Sequence, residues 1–200
     1  MASEVRFEAP TWNQIYDMLL NLAEKIRKDH FRPDIIVGIS RGGWPPARIL
    51  SDLLSNPNLA NVRAEFYLGF SETKDEPSLT QPLSMDVFDK RILIVDEVAD
   101  TGKSLRLVRE HIVQQGAREL KILTVYYKPW STVKPDYYSK ETSDWVVFPW
   151  EIKETIGKIL RRSQERGQRI GVEAKKLVEA GVPAQLVDRF VKEVNEESNC

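Results

Sequence analysis

Residues Arg91 to Leu105 read RILIVDEVADTGKSL, an apolar run that stops at two acids and gives way to a short Thr-Gly-Lys-Ser turn. Ile92 to Val95 is continuously apolar and rich in β-branched residues, as expected of a strand buried on both faces of a parallel sheet. Asp96 and Glu97 follow at its carboxyl end, where open α/β sheets bind ligands. After Asp100-Thr101-Gly102-Lys103-Ser104 the apolar residues Leu105, Leu107, Val108, Ile112 and Val113 recur at helical spacing. Backbone N–H groups at such a helix start can face an anion, and Gly102 has no Cβ to obstruct it. The adjacent carboxylates repel phosphate, so their partners are hydroxyl groups or a hydrated cation. A ligand with a vicinal diol a few ångströms from a phosphate meets both demands, and ribose 5-phosphate is such a ligand.

Two other readings of these residues are weaker. Gly102-Lys103-Ser104 looks like the end of a P-loop, but that motif needs a glycine five positions before its second glycine, and Glu97 stands there. An ordinary buried strand followed by a helix capped by Asp100 or Thr101 accounts for the turn. It leaves the acid pair unexplained.

Residues 92–104 resemble the phosphoribosyl-pyrophosphate (PRPP) signature of the type I phosphoribosyltransferases: an apolar strand, two acids, two further residues, then Asp-Thr-Gly and a small hydroxyl residue after one variable position. The resemblance implies an open, mainly parallel twisted α/β sheet flanked by helices, with a small base-binding hood. It implies that Asp96 and Glu97 hold the ribose hydroxyls. Ala99, Asp100, Thr101, Gly102, Lys103 and Ser104 would hold the 5′-phosphate, with Asp100 also the general base near purine N7.

A second strand, Ile35 to Ile39, ends in Ser40-Arg41-Gly42-Gly43, and a helix is expected from Pro45 or Pro46. Paired glycines beside an arginine suit a second anion, because the bare backbone permits close approach and Arg41 supplies charge. This turn resembles the family's pyrophosphate loop, where a strained or cis peptide is often found.

The segment Ile122 to Trp150, ILTVYYKPWSTVKPDYYSKETSDWVVFPW, is similar to the 6-oxopurine branch, particularly its xanthine–guanine type. That resemblance implies that Lys128, followed by Pro129, donates to the purine 6-oxo group, that Trp145 stacks on the base, and that the backbone near Val146 meets its edge, ahead of Pro149-Trp150-Glu151. A cationic donor selects an oxo acceptor over an amino group, and indole offers a broad face to a flat heterocycle. Tyr126, Tyr127 and Trp130 are read as core or interface residues with no direct role.

The implied reaction is purine salvage: transfer of 5-phosphoribosyl from PRPP to a 6-oxopurine, releasing pyrophosphate and a purine nucleoside monophosphate. A PRPP- or nucleotide-sensing protein of the same fold is the alternative. Magnesium is the expected cofactor, carried mainly by the substrate, with Asp96 or Glu97 as candidate protein ligands. Family members commonly form homodimers or homotetramers.

Composition agrees with one α/β domain. The 200 residues are 42% hydrophobic and carry 29 basic against 30 acidic residues, which disfavours a nucleic-acid partner. Cys200 is the only cysteine, and His30 and His111 are isolated, so no metal cluster or histidine-centred triad is indicated. No apolar run suits a signal peptide or a membrane span, and the expected location is the cytoplasm. Strands are expected near 34–39, 63–68, 92–96, 121–127 and 145–148, and helices near 11–28, 45–55 and 103–115. Gly69 to Asp86, polar with two prolines, reads as a long connection between strands, and the resemblance implies that it is the family's mobile loop, expected to close over the site. The phosphoribosyltransferase domain is expected over 1–150, its base-binding segment at 122–151. Residues 151–200 form a helical extension packed on the core or on a neighbouring subunit.

Overall fold

The computed structural model of the chain describes residues 5–68, 73–165 and 170–197. Their elements are β1 (Phe7–Glu8), α1 (Trp12–Lys28), β2 (Ile35–Ser40), α2 (Trp44–Leu53), β3 (Leu59–Leu68), β4 (Thr73–Gln81) and β5 (Arg91–Ala99). Then come α3 (Lys103–Gln114), β6 (Glu119–Tyr127), β7 (Tyr137–Glu141), β8 (Trp145–Val146), α4 (Ile152–Glu165), α5 (Ile170–Glu179) and α6 (Ala184–Glu197). The chain divides into two compact units, Tyr16–Ser143 and a second built from both ends, Met1–Ile15 with Asp144–Cys200.

The first unit holds a six-stranded sheet in the order β4-β3-β2-β5-β6-β7, parallel throughout except that β4 runs antiparallel to β3. The two most apolar segments take its centre: β2 and β5 pair with Val37 opposite Ile94 and Gly38 opposite Val95. Val37, Ile39, Ile92, Ile94 and Ile122 line one face and pack with Leu105, Val108 and Ile112 of α3. Each such side chain removed from water contributes about 2 kcal/mol, which is why these β-branched runs are driven to the middle. Because β2, β5 and β6 are parallel neighbours, the segments after them, Ser40–Gly43, Asp96–Lys103 and Lys128–Val133, emerge along one edge.

The expected strands and helices of this unit appear within a few residues of their anticipated bounds, and two readings are revised. Residues 69–72 of the anticipated loop lie outside the described residues, but Thr73–Gln81 is a strand, with Glu65 opposite Ser78 and Phe66 opposite Pro77. An edge strand needs few apolar residues, and Leu79 packs against the core. Proline is tolerated at an edge because its missing N–H interrupts no further ladder. The other revision concerns 145–148: only Trp145–Val146 is a strand, and it pairs in parallel with β1 in the second unit, outside the large sheet. A local pattern reveals an extended segment but not its partner.

In that second unit Val147, Ile156, Leu160, Leu177, Val182 and Val187 form a separate core, with Phe7 and Ala9 against it. The expected helical extension over 151–200 comprises α4, α5 and α6 among the described residues. Among the described residues no helix is long and apolar enough to cross a membrane.

Candidate active site

The loop after β2 presses against the end of β5. Its Ser40–Arg41 peptide is cis, and Asn61 Nδ2 donates to Ser40 Oγ at 3.2 Å. A Cβ on Gly43 would lie 2.5 Å from the Val95 carbonyl oxygen and 2.9 Å from Asp96 Cα, so only glycine allows this approach. A Cβ on Gly42 would lie 2.1 Å from Glu97 Oε1. Glu97 therefore occupies the space that Gly42 leaves open, and the anticipated pyrophosphate loop and acid pair are in direct contact.

Asp96 is buried, and its Oδ1 accepts the Glu97 backbone N–H at 3.0 Å. Burial, then the neighbouring Glu97 charge, pushes the Asp96 carboxyl well above the usual carboxylate range. Glu97 Oε2 is buried without a hydrogen-bond partner. Such an oxygen is costly unless a donor or a cation meets it, which makes this strand end a candidate ligand site.

The turn that follows is shaped by Gly102, whose φ of 82° is left-handed and which caps α3 with no side-chain hydrogen bond. Thr101 Oγ1 reaches only the Lys103 N–H, at 3.4 Å. Asp100 does not cap the helix: its Oδ1 accepts the indole N–H of Trp130 at 2.9 Å. Apart from the long Thr101 contact no side-chain cap is found on the first turn of α3 among the described residues, a helix start of the kind that can cradle an anion. Glu76 on β4 pairs with Arg106 at 2.9 Å and Lys103 at 3.7 Å, placing the edge strand beside this cradle.

The segment after β6 is fastened onto the same turn. Lys128 N–H donates to the Ala99 carbonyl at 3.0 Å, and Thr132 donates to the Thr101 carbonyl through N–H at 3.1 Å and Oγ1 at 2.9 Å. A Cβ on Gly102 would meet Ser131, Thr132 and Val133, all under 3.0 Å. Lys128 is buried, and its Nζ lies 5.5 Å from the centroid of the Trp130 ring. The contacts of Trp130 and Thr132 with the candidate site residues were not anticipated, because an exposed aromatic in a polar stretch carries no periodic signal. The Lys-Pro-Trp-Ser-Thr run directly after a strand was the available clue.

In the second unit Trp145 is 36% exposed, with the Phe7 ring 6.4 Å away and tilted by 50°, while Val146 is buried. Trp145 is therefore not a core residue, and its ring retains an accessible face. Trp150 stacks on Phe148 at 4.9 Å, and its indole nitrogen is buried without a partner.

Comparison with known proteins places this geometry. Residues 11–155 match the phosphoribosyl transferase domain family. A xanthine-guanine phosphoribosyltransferase of Gluconobacter oxydans is 30% identical over 149 residues, spanning 74% of this chain and 86% of the relative. The bifunctional protein PyrR of Clostridium kluyveri is 31% identical over 109 residues, 51% of this chain and 62% of its own. The crystal structure of a purine phosphoribosyltransferase from Pyrococcus horikoshii superposes with a TM-score of 0.67 at 41% identity, covering 73% of this chain and 94% of that one. The chain therefore belongs to the phosphoribosyltransferase family and is an enzyme of its purine branch.

Proposed function

We propose that the enzyme transfers 5-phosphoribosyl from PRPP to N9 of a 6-oxopurine. The observation that carries this reading is the contact of Gly42 with the Glu97 carboxylate, which brings the glycine-rich loop directly beside an acid pair made of the buried Asp96 and the half-buried Glu97. One substrate bearing a pyrophosphate, a diol and a 5′-phosphate fits these groups together. Ser40, Arg41, Gly42 and Gly43 take the pyrophosphate; Asp96 and Glu97 take the ribose hydroxyls; Ala99 to Ser104 take the 5′-phosphate. Lys128 donates to the 6-oxo group, while Trp145 and Val146 keep the stacking and edge roles implied by the family resemblance.

In the reaction the bond from ribose C1 to pyrophosphate breaks with its electron pair on the leaving group. The N9 lone pair forms the new bond, and the proton on N7 passes to Asp100. Holding these groups in line and stabilising the separating charges supplies the rate enhancement. Among the described residues no cluster of three metal-ligating side chains exists. Two carboxylates, one with an unpartnered buried oxygen, fit a magnesium ion whose other ligands are phosphate oxygens and water. When bound, that ion neutralises the leaving pyrophosphate.

The test is a spectrophotometric assay of the purified protein with magnesium and PRPP against guanine, hypoxanthine, xanthine and adenine separately. Turnover of oxopurines without adenine is expected, and preference for adenine would overturn the role of Lys128. The similarity to bifunctional PyrR favours one second reading, a PRPP- or nucleotide-responsive regulator. PRPP binding without pyrophosphate release on addition of any of the four bases would select it.

A further inference from the structure

We propose that Trp130 is a positioning residue that aligns the proton acceptor Asp100 with the base-recognising Lys128; this rests on the transfer reading above. Trp130 is 53% exposed, so its place is set by its own contacts and not by burial in the core. Both its polar edge and its face are engaged. The N–H holds Asp100 Oδ1 at 2.9 Å, and the ring lies 5.5 Å from the Lys128 ammonium.

The position of the ring is set from below. Lys128 N–H to the Ala99 carbonyl, Ser131 N–H to the Lys128 carbonyl, and two bonds from Thr132 to the Thr101 carbonyl tie this loop to the turn that carries Asp100. The indole has one donor and no acceptor, so it fixes Oδ1 and leaves Oδ2 to face the purine. As N9 bonds to ribose C1, the N7–H electron pair returns to the ring system and the proton passes to Oδ2. One indole thus sets the angle of the group that takes the proton and the place of the group that holds the 6-oxo oxygen.

The test uses Trp130→Phe, which keeps a ring for Lys128 and deletes the N–H, and Trp130→Leu, which deletes both. For Trp130→Phe, kcat is expected to fall about tenfold, the low end for a lost hydrogen bond to a charged group. The KM for PRPP should stay within about twofold, because the groups assigned to PRPP remain in place. Trp130→Leu should in addition raise the KM for the purine about threefold through the lost cation–π contact. In an Asp100→Asn background Trp130→Phe should cost little further, since the partner it orients is already changed. Wild-type kcat in Trp130→Phe, an equal loss in the Asp100→Asn background, or a parallel rise in the PRPP KM would each overturn the proposal. If the unmutated enzyme transfers to no base, the transfer reading fails first and this role falls with it. A fault in the Trp130 assignment alone shows only in the variants of a working enzyme.

Discussion

At the amino-terminal ends of β2 and β5, Asp34 accepts the Arg91 backbone N–H at 2.8 Å and the Arg91 guanidinium at 2.8 and 3.1 Å. At the carboxyl ends of the same neighbourhood, Glu97 keeps a buried oxygen with no partner, and Asp96 is held above the usual carboxylate range. The first end closes its charges within the protein, as does the cluster of Lys121 near the start of β6, Tyr137 at the start of β7 and Asp29 just after α1. At the second end the Glu97 oxygen is not closed in this way. Under the proposed function the difference is a division of work within one sheet: charge pairing at one edge stabilises the fold, while a strained carboxylate at the other is tolerated because the substrate would satisfy it.

The largest effect should come from breaking the ligand edge. Gly42→Ala sets a Cβ where the Glu97 carboxylate lies. That carboxylate is the end of a flexible side chain, so the fold should survive while the acid is displaced. Turnover should fall about 100-fold, the scale of a 1 Å misplacement, with the melting temperature within a few degrees of the parent. Normal turnover would show that the contact is structural only.

Breaking the opposite edge should do the reverse. Asp34→Asn should cost about 2 kcal/mol of stability, the scale of hydrogen bonds to a charged group at a partly exposed site, with turnover per folded molecule unchanged. The pH dependence has a defined sign. Side-chain and backbone hydrogen bonds from Arg91 hold the Asp34 carboxyl well below its ordinary range. An unfolded aspartate protonates near pH 4 while the folded one stays ionised, so this stabilisation is present above about pH 4 and is lost as pH falls further. Melting curves between about pH 5 and pH 2 should have a shallower slope in the variant, and an unchanged slope would refute the assignment.

The smallest effect sharpens the comparison. Ser55 ends α2 at a φ of 51°, its N–H on the Asp52 carbonyl at 3.0 Å and the Asn56 N–H on the Ser51 carbonyl at 2.9 Å. Glycine suits this left-handed helix end. Ser55→Gly should add about 0.5 kcal/mol after the larger chain entropy of glycine is subtracted. The melting temperature should rise by about 1–2 °C at unchanged turnover, and a fall would show that the serine side chain contributes to the edge.

The strands expected near 34–39 and 92–96 were legible because continuous β-branched runs suit little else, although β5 continues through the acid pair to Ala99. The turn after each was legible because glycine, arginine and hydroxyl residues at a strand's carboxyl end carry their own chemistry. The helix-cap role offered for Asp100 was not what formed, since Trp130, thirty residues further along, takes its carboxylate first. The strand at 73–81 was hidden because an edge strand needs a neighbour more than an apolar run.

The sequence by itself determined which segments would be buried and which glycine-containing turns would follow them, because burial and backbone freedom are properties of residues and their immediate spacing. Only the tertiary structure decided that Glu97 fills the space over Gly42, that Trp130 joins Asp100 to Lys128, and that Trp145 pairs beside Phe7. Those outcomes depend on which distant segments meet, and local spacing does not encode contacts across parallel strands whose order differs from chain order.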